Sequence, residues 1–231
     1  MLTFYGFTDV ILDIYSACRY DKAWNYTATS PWCAPFHKED LKIMEYYQDL
    51  KHYYRTGYGN DLSYKVGCPI VKDLIDRFNR GSGSQETSTP KGVFYFVHSD
   101  TLRPVLVRLG VAKDAQPPRH DNYHQMSKRQ WRTSQVSPFA GNIAAVFYKC
   151  HGNYGEENKV MFYLNEHNVD YEGCDVGLCE WSYIKKKFEN VISQDSCSYK
   201  FCETAESSAP TKYTINLSLI PVVLFLLGKV L

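Results

Sequence analysis

Residues 91–110, KGVFYFVHSDTLRPVLVRLG, constrain the fold more than any other part of this 231-residue chain. The five consecutive apolar residues 93–97 are too few for a typical helix and suit a strand buried on both faces, as in a parallel sheet. The run stops at His98, Ser99 and Asp100, and a second apolar stretch begins at once, with Leu102, Val105, Leu106 and Leu109 at helical spacing. Asp100 or Thr101 is placed to cap that helix, and Pro104 is tolerated in its first turn. Strand and helix together set an imidazole and a carboxylate at the carboxyl end of a strand. Open α/β folds bind their ligands there, and phosphate chemistry suits the position.

The remaining periodicity predicts a helical first part and a mixed second part, an α/β chain. Val10, Ile11, Ile14, Tyr15 and Cys18 form one face of a helix over residues 7–20, which the prolines and polar residues of 25–35 interrupt. A second helix spans 39–54 and stops at Gly57 and Gly59; a third spans 70–78 behind Pro69. Residues 81–90, GSGSQETSTP, read as a flexible surface connection. Beyond it, 142–148 and 160–164 are strand candidates forming an antiparallel hairpin with a long loop, HGNYGEEN, and Trp181, Ile184, Phe188 and Val191 mark a last amphipathic helix over 181–192.

A formal net charge of +1 gives no global argument for nucleic acid or for a strongly acidic partner. Charge is concentrated locally: Arg103, Arg108, Lys113, Arg119, Lys128, Arg129 and Arg132 face only Asp114 and Asp121 within the same stretch. This is either a solvated loop or the anion-facing rim of a cleft. Eight cysteines favour an oxidising compartment. Cys174/Cys179 and Cys197/Cys202 each enclose four residues, as small local disulfide loops do, whereas zinc knuckles want tighter spacing, so no metal or cofactor is expected. Asn25-Tyr26-Thr27 and Asn216-Leu217-Ser218 are N-glycosylation triplets.

The ends differ. Asp9 and Asp13 interrupt any signal-peptide pattern near Met1. Residues 217–231 are mostly apolar, shorter than the roughly 20 residues a spanning helix wants, and follow Ser207-Ser208-Ala209 and a polar spacer. That order fits a lipid-anchor signal, a retained membrane tail or an incidental terminus. Either membrane reading requires export, which makes a missing true N-terminus the expectation.

Several blocks in correct order carry a family resemblance: SPWCAPF (30–36), EYYQDLKHYYRTGYGN (45–60), FVHSDTLRPVLVRLG, SPFAGNIAAVFYKC (137–150) and MFYLNEH (161–167). Spread over nearly all of residues 5–205, they resemble the second half of a branch-two histidine acid phosphatase, of the multiple inositol polyphosphate phosphatase group. The resemblance implies an incomplete histidine-phosphatase-like α/β core with part of an inserted helical domain. Residues 1–85 would be the later part of that insertion, 91–205 the return into the core, and 206–231 the small-residue, spacer and tail segment. It also implies an exported parent, secreted or anchored at the cell surface.

The family nucleophile is a histidine in an Arg-His-Gly motif, which this sequence lacks: Arg119-His120 is followed by Asp121. The chain therefore resembles the C-terminal portion of such an enzyme and needs the missing half for activity. In the intact site the absent histidine would form a phosphohistidine while cationic groups stabilise the equatorial oxygens. The implied substrates are phosphorylated small molecules, inositol polyphosphates and 2,3-bisphosphoglycerate among them. His98 matches the family's second active-site histidine, which binds the transferring phosphoryl group. Asp100 stands where the group usually has the Glu of His-Ala-Glu; one methylene shorter, it leaves its oxygen about 1–1.5 Å from the ideal proton-donor position, a displacement able to cost about 100-fold. Helix capping is its other reading.

Lys113, Arg119, Lys128, Arg129 and Arg132 would contact further phosphates if their loop borders the cleft, and Asn142 resembles a family position. The resemblance suggests Cys18/Cys33 and Cys197/Cys202 as pairs, with Cys174/Cys179 another, leaving Cys68 and Cys150 to each other or to the missing half. Half of a shared core would leave strand edges and apolar surface uncovered, so the chain alone should be poorly soluble or need a partner. The competing function is a non-catalytic secreted or membrane-anchored glycoprotein derived from the same family.

Overall fold

In the computed structural model the residues described are 4–83, 90–152, 155–192 and 197–198. All the described residues but Ser198 belong to one compact unit. The fold is mixed α/β, a helix-rich core with a small partial sheet. Asn216, Cys202, the tail expected over 206–231 and most of the 81–90 connection lie outside the described residues. None of the described helices is long and apolar enough to cross a membrane.

Helix α1 (Phe4–Trp24) is longer at both ends than its apolar face suggests, and Cys18–Cys33 ties it to the turn at Pro31–Cys33. Asn25 follows in an exposed turn, its Oδ1 accepting from the backbone N–H of Ala28. Helix α2 (Lys38–Thr56) starts at His37, whose N–H donates to Asp40. A short helix α3 (Asp61–Val66), capped by Asn60, occupies a stretch to which the sequence pattern assigns no element. Helix α4 (Cys68–Gly81) follows directly. Gly67, at this junction, is packed so closely on α5 (Ser99–Leu109) that a Cβ would lie 2.2 Å from the Pro104 carbonyl oxygen, so no side chain fits there.

Helix α5 is the centre of the unit. Residues 102–107 and Leu109 are all buried, and Gly110 ends the helix in the left-handed conformation (φ 81°) that glycine adopts without steric penalty. Its N-cap is His98 rather than Asp100 or Thr101: the carbonyl of the extended His98 accepts from Thr101 and Leu102 N–H at 2.8 and 3.1 Å. Pro104 therefore sits two or three residues further in than expected.

Strands β1 (Ile143–Gly152) and β2 (Gly155–Leu164) pair antiparallel without a break from Ile143↔Leu164 to Gly152↔Gly155. The hairpin is as expected, but most of HGNYGEEN lies in the ladder. Two short strands, β3 (His167–Asn168) and β4 (Leu178–Glu180), also pair with β2. Val160 and Phe162 join Leu106, Leu109, Trp181 and Ile184 in one buried cluster, and Val71 and Ile75 of α4 belong to the same core. After the short helix α6 (Thr133–Val136), the expected last helix is two: α7 (Trp181–Lys187) and α8 (Glu189–Ile192) divide at buried Phe188.

Two expectations need correction. Residues 93–97 are not a buried parallel strand: they join no sheet among the described residues, and Phe94 and Phe96 are 83% and 96% exposed. A parallel strand needs neighbours on both sides and a cover on each face, and the described residues provide neither. Cys197 pairs with Cys68, not Cys202; Cys174–Cys179 is as expected, and Cys150 is the free cysteine among those described. The packing of α8 on α4, where Lys72 reaches the Ile192 carbonyl, returns the chain to the start of α4. Because the Cys68–Cys197 bridge spans 129 residues, replacing both by serine is expected to lower unfolding free energy by about 2–5 kcal/mol, measured by urea denaturation against the parent chain.

Candidate active site

The extended segment ends at His98, and helix formation starts there, so His98, Ser99 and Asp100 crown the N-terminus of α5 and are exposed. A carboxylate in a first turn also suits the helix dipole. One turn on, Arg103 turns inward, with 3% of its side chain exposed. Its guanidinium stays charged although burial pushes its pKa down, so it must find oxygen partners. It donates to Thr56 Oγ1 (2.7 Å) at the end of α2, to Ser137 Oγ (3.1 Å) before β1, and to the Asp100 carboxylate. Arg55 of α2 approaches the same carboxylate from solvent at 3.6 Å. Asp100 is thus held between a buried and an exposed guanidinium, two residues from the His98 imidazole.

His52, one turn before Thr56, completes the cluster. Burial first, and then the positive charge of Arg103, lower its pKa to about 4; its Nδ1 is buried with no hydrogen-bond partner. Lys51 and Arg55 act on it in the same sense and Asp100 in the opposite one, so all five groups share one electrostatic neighbourhood. On the side of α2 that bears Lys51, a hollow of about 420 Å³ is lined by Leu50, Lys51, Tyr54, Arg119 and His120.

The basic stretch divides. Arg119 reaches the hollow while pairing with Asp121 at 2.9 Å. The Lys113 ammonium lies 5.7 Å from the Tyr58 ring centre, and Lys128 is exposed. Arg132 donates to the Ser127 carbonyl at 2.6 Å. Arg129 is buried and not available as a rim cation: it pairs with Asp49 at 2.5 Å and Glu45 at 3.2 Å. Asn142 opens the hairpin, its amide donating to Glu166 Oε1 at 2.8 Å. The residues that sequence reading passed over are Lys51, His52, Arg55 and Thr56. Their signals were the i, i+4 spacing of Lys51 and Arg55 and their place in the 45–60 block that carries the resemblance, inside a helix dominated by its tyrosines. No group of three or more metal-ligating side chains occurs among the described residues.

Asp49 is fully buried and also accepts from the Thr133 N–H and Oγ1, each at 2.7 Å. Burial pushes its carboxyl pKa up, and these hydrogen bonds and Arg129 pull against that rise. Asp49→Ala leaves Arg129 buried without its main partner and should cost about 3–5 kcal/mol in a denaturation measurement. His52 gives a pH test. The folded chain holds it neutral down to about pH 4, whereas an unfolded chain protonates it near 6.5. The unfolded state therefore binds more protons between those values, and stability present above pH 6.5 is lost as pH falls toward 4. The drop in denaturation midpoint from pH 7 to pH 5 should be smaller in His52→Gln than in the parent; equal drops would refute the assignment.

The model of the histidine phosphatase superfamily (branch 2) matches residues 7–165. Multiple inositol polyphosphate phosphatase 1 of Drosophila melanogaster is 37% identical over 191 residues, 83% of this chain and 39% of that protein. The proteins of the same name from Gallus gallus and Homo sapiens are 29% and 27% identical, covering 84% and 87% of this chain and 44% and 42% of their own lengths. The chain thus spans about two-fifths of these relatives.

Proposed function

The chain belongs to the histidine phosphatase superfamily (branch 2), and from that premise we propose that it carries the phosphate-gripping and proton-donating part of a phosphomonoesterase acting on inositol polyphosphates, with 2,3-bisphosphoglycerate as a further substrate. The observation that supports this best is the setting of His98-Ser99-Asp100, at the exposed N-terminus of α5 with Asp100 between Arg103 and Arg55. Charge-assisted donors grouped around one position suit an anion whose charge shifts during transfer.

In this reading His98, protonated, donates to a phosphoryl oxygen. Arg55, exposed and only 3.6 Å from Asp100, exchanges that carboxylate for the phosphate when substrate arrives. Asp100 is then free to take up a proton and deliver it to the leaving alkoxide, while Arg103 holds its position through Thr56 and Ser137. The attacking imidazole is absent, since these 231 residues contain no Arg-His-Gly triplet. It comes from sequence outside them, and turnover requires it. Disulfides and the exposed Asn25 acceptor triplet support passage through the secretory pathway.

The purified chain is expected to bind inorganic phosphate, and His98→Ala to weaken that binding about 10- to 100-fold, the range set by losing one charge-assisted hydrogen bond. It is expected to release no phosphate from inositol hexakisphosphate above background. Isothermal titration and a phosphate-release assay check the two parts. Turnover by the chain alone would overturn the division of labour, and phosphate binding untouched by His98→Ala would favour a non-catalytic glycoprotein.

A further inference from the structure

The loop that presents Ser137 to Arg103 has little of its own to hold it. From Gln135 to Asn142 only Val136 is buried, Phe139 is fully exposed, and Ala140 takes the left-handed conformation (φ 58°). Both ends of the loop are fastened by one residue outside it. Asn165 and Glu166 form the two-residue turn between β2 and β3, both left-handed (φ 48° and 65°), a conformation that asparagine adopts more readily than most residues. The Asn165 N–H donates to the Asn142 carbonyl at 3.0 Å, as a strand residue would, but the return bond from the Asn142 N–H goes to the Asn165 side-chain Oδ1 at 2.9 Å. The Nδ2 of the same carboxamide donates to the Gln135 carbonyl of α6 at 2.6 Å. One planar group thus fixes the separation of residues 135 and 142, and with it the path of Ser137 between them. The Ser137 hydroxyl in turn accepts from Arg103, which holds the Asp100 carboxylate.

We propose that Asn165 is a positioning residue for the candidate proton donor. It touches neither phosphate nor the reacting atoms: it fixes Ser137, Ser137 fixes Arg103, and Arg103 fixes Asp100. The proposal rests on the reading of His98 and Asp100 as the groups that handle phosphate. Without the carboxamide the buried guanidinium loses an acceptor of settled position, and a less firmly held Asp100 carboxylate competes with an incoming anion for Arg55 and repels it.

Glycine at position 165 tests this, because it keeps the left-handed turn and removes only the carboxamide. In the full 231-residue chain, Asn165→Gly should speed solvent exchange of the Arg103 Nε–H about three- to tenfold, followed by heteronuclear NMR, and weaken inorganic phosphate about threefold, followed by isothermal titration. Ser137→Ala, which leaves the turn untouched, should reproduce both changes, and Asn165→Gly should add nothing to it. Asp100→Asn removes the competing charge, so in that background Asn165→Gly should leave phosphate affinity unchanged. A lower urea midpoint with Arg103 exchange and phosphate affinity both unaltered would make Asn165 a turn residue only and overturn the proposal, as would additive effects of Asn165→Gly and Ser137→Ala. Titration of His98→Ala separates the two levels. Phosphate binding that depends on His98 but not on Asn165 sinks the positioning role alone; binding indifferent to His98 sinks the reading of the site and the positioning role with it.

Discussion

A guanidinium buried on the inner face of α5 sets the arrangement of everything around it. Arg103 lies in a stretch of the helix otherwise given to Leu102, Pro104, Val105 and Leu106, all of them buried. An unpaired charge there would be far more costly than the few kcal/mol by which a domain is stable, so the fold must bring oxygen atoms to it. The three that arrive come from different places: Thr56 from the end of α2, Ser137 from the approach to β1, and Asp100 from the first turn of α5 itself. Satisfying one buried cation thereby fixes the direction of α2, the entry to the hairpin and the orientation of the candidate acid. Structural and chemical demands meet in the same side chain.

The rest of the positioning is done at a distance. Asp49 locks α2 to the 129–133 segment through Arg129 and Thr133, and Tyr46 of the same helix holds the 119–122 turn through the Arg119 backbone and Asn122. One edge of α2 is therefore consumed by buried contacts while the edge bearing Lys51 and Arg55 is left to solvent. The absent side chain of Gly67 lets the α3–α4 junction press on α5 at Pro104, beyond the exposed first turn. The α5 terminus is held firmly from beneath and left open above.

Much of this was legible in the chain. Helical spacing placed α1, α2, α4 and α5 within a few residues, and the abrupt change of pattern at His98 coincides with the N-cap of α5. Failures arose wherever the deciding partner is remote in sequence. Cys197 has a near neighbour in Cys202 and a true partner 129 residues away, and spacing favours the near one. Arg129 counts as a surface cation until Asp49, 80 residues earlier, is seen to neutralise it. Lys51 and Arg55 were hidden because the tyrosines of α2 dominate its pattern, and only the packing of α2 against α5 gives those cations a target. Pro104 misled the cap assignment because proline is usual in a first turn, whereas here it stands inside the helix with the close-packed Gly67 against its carbonyl.

Residues 93–97 expose the deepest disagreement between pattern and structure. Their composition is that of a strand covered on both sides, yet Phe94 and Phe96 stand almost wholly in solvent, and the outer edge of β1 has no partner among the described residues. Aromatic side chains left so exposed forfeit a burial worth about 1.5–3 kcal/mol each, and open edges invite pairing with another strand. Under the proposed function this deficit and the missing nucleophile have one cause. A segment that brought an Arg-His-Gly imidazole to His98 would have to enter beside the stretch that leads into His98, and strands entering there would cover that same apolar run. Catalysis and burial are then a single requirement: whatever completes the sheet completes the site, and a partner that covers Phe94 and Phe96 without supplying an imidazole would restore stability and leave the chemistry absent.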